Sequence, residues 1–383
     1  MAGNLSLEAL REAVDRGEID TVVAAMVDMQ GRLQGKRFHA RHFVDGGWQE
    51  THCCNYLLAT DLEMVTVPGY KATSWEKGYG DYMLKPDLST LRRTPWLPAT
   101  ALVLCDVLDH HGHAEIAHSP RAVLKHQIAR AAALGLAPMM ASELEFFLFE
   151  PGYDAMRDAN YQNMRTLSRY NIDYSVFGTS KEEGVMRAIR NGLHGAGVAV
   201  ENTKGEAEAG QEEINVRYGP ALDAADTHAI VKNAVKEIAH AHGHAATFMA
   251  KYHHDRAGSS CHVHQSLARA DGTPAFHDPD AAHGMSDLMR HYVAGLLAHA
   301  EAITLFLAPC VNSYKRFVVG MFAPTKAVWS LDNRTAGFRL VGEGTRGVRI
   351  ESRIPGADVN PYLAMAALLA AGLDGIASRR VLE

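Results

Sequence analysis

Residues 142–149 read Ser-Glu-Leu-Glu-Phe-Phe-Leu-Phe, an apolar strand pattern broken by two acids two positions apart. Successive side chains of a strand point to opposite faces. Glu143 and Glu145 therefore stand side by side, while Leu144, Phe146 and Leu148 face the other way. Adjacent carboxylates oppose each other's ionisation, and on a mostly apolar strand that cost calls for compensation. A bound cation compensates most directly; the plain alternative for this segment alone is a solvated face on an edge strand. The first reading requires a sheet with one face in the core and the other in a polar cleft.

The same geometry recurs downstream. In CHVHQSL, His262, His264 and Ser266 share a face, and in VRIESRIP so do Arg349, Glu351 and Arg353. In GEAEAGQEEINVRY, Glu206 precedes a glycine turn and Glu213 follows it on a strand. Each segment alone has an ordinary explanation, but four in one sheet-rich region form a pattern. Carboxylates with an imidazole suit Mg²⁺ or Mn²⁺, which favour hard oxygen donors and tolerate nitrogen. A cationic set accompanies them: Lys315 and Arg316 in NSYKRF, Arg334 and Arg339 in LDNRTAGFRL, and Arg349 and Arg353. Guanidinium groups grip carboxylates and phosphates bidentately. Metals with several arginines are what phosphoryl transfer to or from a carboxylate needs. There is no G-x-x-x-x-G-K-S/T and no G-x-G-x-x-G, so neither a P-loop nor a Rossmann site is indicated.

The chain of 383 residues is 47% hydrophobic and 21% charged with a net charge of −6, which gives no electrostatic reason to expect nucleic acid or an anionic membrane as partner. Five cysteines at irregular spacing make neither a disulfide framework nor a zinc pattern, and they point to a reducing compartment. The N-terminus has no apolar signal core, and the longest apolar stretch, Leu363–Leu373, is too short to span a bilayer. The expectation is a cytoplasmic protein. That stretch reads as a buried helix with Asn360 as N-cap, Pro361 in its first turn and Gly375 beyond its last. A helix is predicted over 5–16, two strands meet near Gln30–Gly31, ordered loops fill 60–100, and a strand covers 100–107. A helix follows over 120–135, with Ser119 as N-cap and Gly135 at its end. Helices and strands then alternate, ATFMAKY among the strands. The predicted fold class is α+β, with a small domain over 1–110 and a larger one over 111–383 built on an antiparallel sheet with flanking helices.

The ordered series of motifs resembles the glutamine synthetase family. It runs DMQGRLQGKR, MLKPDLST, SELEFFLF, EAEAGQEEI, ATFMAK with GSSCHVHQSL, NSYKRF, APT…W…DNRTAGFR and RIESRIPGADVNPYLA, and covers nearly the whole chain from about residue 20. The resemblance implies a β-grasp N-terminal domain, a catalytic domain, and homo-oligomeric rings, commonly dodecamers, with active sites between subunits. It implies ATP as co-substrate, glutamate as substrate, and two or more Mg²⁺ or Mn²⁺ ions per site. Position by position, it implies Glu145, Glu206 and Glu213 at one metal and Glu143, His262 and Glu351 at another. His264 and Ser266 would contact ATP, and Arg316 and Arg353 would bind glutamate, with Gly258 in the loop beside it. Arg334 and Arg339 would neutralise the transferring phosphate, Arg339 also touching ATP.

The sequence departs from glutamine synthetase proper where ammonium is held. The flap motif P-G-x-E-A-P becomes VGMFAP, with Phe322 in the glutamate's place, and the F-D-G-S-S aspartate has no acidic counterpart near Cys54 or Asn55. Two anionic groups suited to a small cation are gone, while the metal and arginine sets are whole. The resemblance therefore points to the branch that joins the γ-carboxylate of glutamate to a small organic amine, of ethanolamine or polyamine type. The alternatives are a glutamine synthetase using ammonia, a phosphagen-type kinase, which the N-terminal half and NSYKR argue against, and a non-catalytic family member. In the loop before His262, Ala257 stands where asparagine is usual. Asp61, Glu63 and Glu76 lie in a segment that would border a neighbour's site. The sequence ends at Glu383, where the family pattern continues with a further helical segment, and that segment is expected to be missing.

Overall fold

The computed structural model describes residues 3–383. An N-terminal sheet is built from β1 (Thr21–Val27), β2 (Leu33–His39), β3 (Thr51–Cys54), β4 (Asp81–Pro86), β5 (Arg92–Arg93) and β6 (Thr100–Asp109), in the order β2-β1-β6-β4-β3 with β5 beside β6. The first hairpin turns at Gly31, whose φ of +79° is the left-handed backbone that glycine adopts without strain. The helix Leu7–Asp15 is capped by the Ser6 hydroxyl, which accepts from the Ala9 amide at 3.1 Å.

The larger sheet has β7 (Leu136–Phe149) near its middle. It adds β8 (Val200–Gly205), β9 (Gln211–Val216), β10 (Gly219–Pro220), β11 (Ala245–Thr247), β12 (Cys261–Arg269), β13 (Trp329–Leu331), β14 (Phe338–Val341) and β15 (Arg349–Ser352). The order is β13-β14-β15-β12-β7-β9-β8, antiparallel except for β13 with β14, and β10 and β11 also pair with β7. Leu144, Phe146 and Leu148 of β7 join Ile214 of β9, Val263 of β12 and the apolar sides of helices Ala221–Ala241, Asp287–Ala298 and Pro361–Ala377 in one buried cluster. That leaves the opposite sheet face to the polar residues.

A buried arginine joins the two sheets' regions. Arg121, in the first turn of helix Pro120–Ala133, pairs with Asp87 at 2.7 Å, Asp106 at 2.5 Å and Asp226 at 3.0 Å. Asn360 adds to the link: its amide group donates to the Asp28 carbonyl at 2.9 Å while its side-chain oxygen caps the helix at Tyr362 and Leu363.

Three local expectations differ. Ser119 occupies the cap position of helix Pro120–Ala133, but its side chain makes no cap bond. Of ATFMAKY only Ala246 and Thr247 are strand, within Ala245–Thr247; farther on, the Asn312 side chain takes the Lys251 backbone N–H and C=O at 3.1 and 2.7 Å, bonds a neighbouring strand would otherwise make. Gly375 lies inside the last helix, which runs on to Ala377, and there it permits contact with helix Asp287–Ala298. A Cβ at Gly375 would stand 2.1 Å from the His291 carbonyl oxygen and 2.7 Å from the Gly295 Cα, and backbone atoms cannot swing aside. We expect Gly375→Val to lower stability by about 3 kcal/mol, read as the midpoint of chemical unfolding.

Candidate active site

The register of the larger sheet brings the charged residues together. Across β7, β9 and β8, Glu145 pairs with Glu213 and Glu213 with Lys204. Across β7 and β12, Glu143 pairs with His262; across β12, β15 and β14, His264 pairs with Glu351 and Glu351 with Arg339. Glu206 follows β8 at the start of the turn to β9, where Gly210 has φ +73° and a Cβ would meet Thr166 at 2.6 Å. The result is a cleft of about 1350 Å³ over the polar face.

Ligand atoms of Glu145, Glu206 and Glu213 lie within 4.8 Å of one another, as do those of Glu143, Glu213 and His262, and those of Glu143, His264 and Glu351. Glu143 bridges the histidines: Oε2 is 3.0 Å from His262 Nδ1 and Oε1 is 2.8 Å from His264 Nε2. Burial opposes its charge, but bonds from the two imidazoles outweigh it and hold the carboxyl well below the usual range. Glu351 is nearly fully buried and also stays low despite burial, under His262 and Arg353; Arg353 Nη1 donates to it at 2.6 Å and Arg339 Nη1 at 2.9 Å. The other acids behave oppositely. Burial and then Glu206 push Glu145 up, while burial and then Glu143, Glu145 and Glu206 push Glu213 up to about 8. Buried oxygen donors short of positive charge, with an imidazole beside them, fit a hard divalent cation.

The groupings cut across the second set the sequence suggested: Glu143 falls with Glu351 through His264, and with His262 through Glu213. His262 reaches Glu143 and, at 3.6 Å, Glu351, but His264 is drawn into the same set, with Arg349 Nε donating to its Nδ1 at 3.2 Å. Ser266, Gly258, Phe322, Arg334, Arg339 and Arg353 line the cleft. Arg316 lies beneath it: Nη1 donates to Ser260 Oγ at 3.1 Å, Nη2 donates to the Ile354 carbonyl, and burial lowers its pKa to about 10. Asp61, Glu63 and Glu76 lie outside this chain's own cleft, and the Asp61 carboxylate accepts from the amides of Glu63 and Val65, closing its turn. Sequence reasoning missed Lys204, Asp173, Tyr174 and Arg346 on the cleft wall. The spacing of Lys204 and Glu206 was the available signal, hidden because β8 is a polar edge strand.

Comparison with known proteins follows the same lines. The profile described as glutamine synthetase, catalytic domain, matches residues 117–382. A γ-glutamylethanolamide synthetase, GlnA4, of Streptomyces coelicolor is 49% identical over 376 residues, covering 98% of this chain and 80% of that protein. A glutamate–isopropylamine ligase of a Pseudomonas species is 37% identical, covering 97% of this chain and 81% of the relative. A glutamine synthetase of Thermotoga maritima is 37% identical over 308 residues, covering 78% and 67%. Among solved structures, GmaS without ligand superposes with a TM-score of 0.83 at 29% identity, covering 98% of this chain and 82% of that one. No helix among the described residues is long and apolar enough to cross a membrane.

Proposed function

Because the chain belongs to the glutamine synthetase family, we propose that it is an ATP-dependent ligase joining the γ-carboxylate of glutamate to a small alkylamine through γ-glutamyl phosphate. Glu145, Glu206 and Glu213 would hold one divalent ion, and Glu143, His262 and Glu351 another, His262 Nδ1 lying 3.0 Å from Glu143 and 3.6 Å from Glu351. Bound there, Mg²⁺ or Mn²⁺ neutralises charge on the phosphoryl oxygens. Arg334 and Arg339 face the same space and would stabilise the phosphoryl group as it moves from ATP to the glutamate side chain. His264 and Ser266 would orient the ATP. Arg353 and Gly258 would bind the glutamate, and Arg316, from beneath, would position Gly258 and Ser260. The amine then attacks the acyl phosphate, losing one proton, and phosphate leaves. On this reading the protein has a β-grasp domain over 1–110 and a catalytic domain over 111–383, works in the cytoplasm, and assembles as a homo-oligomeric ring of dodecamer type with intersubunit sites.

One observation carries the choice of amine: Phe322 lines the cleft, 63% exposed, where the resemblance to glutamine synthetase implies a flap glutamate. A neutral aromatic wall gives ammonium no counter-charge and no proton acceptor, but it packs against a carbon chain. The name of the 49% identical relative, an ethanolamide synthetase, supports the same choice. The test is phosphate release from ATP with glutamate and Mg²⁺ or Mn²⁺, across ammonia, methylamine, ethanolamine, putrescine and spermidine. Stimulation by one organic amine at least about tenfold above ammonia in kcat/KM is expected; a dominant ammonia activity would return the chain to glutamine synthesis.

Gly258 gives a second check. A Cβ there would stand 2.4 Å from Arg316 Cγ and 2.6 Å from the Ala250 carbonyl oxygen. Gly258→Ala is therefore expected to shift Arg316 and the loop, raising KM for glutamate about tenfold with a smaller change in KM for ATP.

A further inference from the structure

We propose that Lys204 is a tethered counter-cation which a divalent ion must displace from Glu206, and that Asp173 with Tyr174 is the place to which its ammonium retreats. Lys204 is thus a positioning residue, linking metal occupancy to the segment at the mouth of the cleft. The inference rests on the reading of Glu145, Glu206 and Glu213 as metal ligands.

Three carboxylates converge there, yet the only ion pair any of them makes among the described residues is Lys204 with Glu206. The register sets Lys204 opposite Glu213 on the same sheet face, so its side chain enters the cluster from the edge. Nζ donates to the Glu206 carboxylate and, at 3.4 Å, to the Gly205 carbonyl. An oxygen that takes a lysine proton is not free for a metal, and two cations sharing one carboxylate repel at short range.

The retreat is already furnished. Nζ lies 3.6 Å from Asp173 Oδ1 and 4.4 Å from the centre of the Tyr174 ring. A carboxylate and an aromatic face together make a good ammonium cradle. The Tyr174 amide is anchored by the Gly205 carbonyl at 3.2 Å, and its φ of +52° is an uncommon backbone for an aromatic residue, so the cradle is held in place from β8. A flexible ammonium suits such a move better than a guanidinium, which prefers a fixed bidentate grip.

The test is Mn²⁺ titration of the full chain, stripped with chelator and without nucleotide, read by the electron paramagnetic resonance of free Mn²⁺. Lys204→Met should tighten binding about tenfold by removing the competitor. Lys204→Arg should bind no more tightly than the parent. Asp173→Asn should weaken binding about threefold, because the displaced ammonium loses its acceptor. Opposite signs from two nearby substitutions are not a consequence of general damage. Equal or weaker binding by Lys204→Met overturns the inference; should that variant not fold, unchanged or tighter binding by Asp173→Asn overturns it. A parent protein that binds no Mn²⁺ overturns the metal assignment itself, a separate failure.

Discussion

Glu213→Gln is expected to stabilise the metal-free protein at pH 8 and to abolish its metal-dependent turnover. Burial and the carboxylates of Glu143, Glu145 and Glu206 raise the Glu213 carboxyl to about 8 from an ordinary 4.5. Between those values the folded protein holds a proton that the unfolded chain has released. Stability in chelator therefore falls as pH rises from about 4.5, and the whole penalty is present above about 8. Glutamine keeps the shape and carries no charge, so the variant gains on the order of 2 kcal/mol over the parent at pH 8 and little at pH 5. Melting curves in chelator at the two pH values check this. Turnover with ATP, glutamate, amine and Mn²⁺ should fall about a thousandfold or more, since the residue serves the proposed metal set. A variant that keeps parental turnover removes Glu213 from that set.

Arg339→Ala should cut kcat about a thousandfold while leaving Mn²⁺ binding nearly intact. The guanidinium donates through Nη1 to Glu351 at 2.9 Å and through Nε and Nη2 to Asp332 at 3.1 and 2.5 Å, which fixes its plane at the cleft. Glu351 keeps Arg353 when Arg339 is gone, so the buried carboxylate is not left unpaired. The loss should therefore appear in phosphoryl transfer rather than in folding. Arg339→Lys keeps one charge but not the fork, and it should recover only part of the rate. A variant with intact kcat and a raised KM for ATP would make Arg339 a nucleotide anchor alone.

The shared faces of the cleft strands are legible in the sequence, because strand alternation is a strict rule, whereas the grouping of Glu206 and Glu213 with Glu145 comes from the family resemblance. Glu143 with Glu145, and His262 with His264, were placed on common faces by spacing alone, and register does the rest. What spacing cannot supply is which strands are neighbours. The pairing of β9 with β8 brings Lys204 opposite Glu213, and the sequence VENTKG carries no apolar alternation to announce a strand. Arg316 shows a second gap: its type predicts anion binding, but depth relative to the cleft depends on Gly258 and Ser260 lying over it. Gly375 reads as a helix stop in one dimension and acts as a close helix contact in three.

The most direct test of the proposed chemistry is product identity under competition. The protein would be given ATP, glutamate, Mg²⁺ or Mn²⁺, and equal concentrations of ammonia and ethanolamine, with products separated and weighed by mass spectrometry. The account predicts γ-glutamylethanolamide in large excess over glutamine. Glutamine as the main product would contradict it, and with it the role given to Phe322.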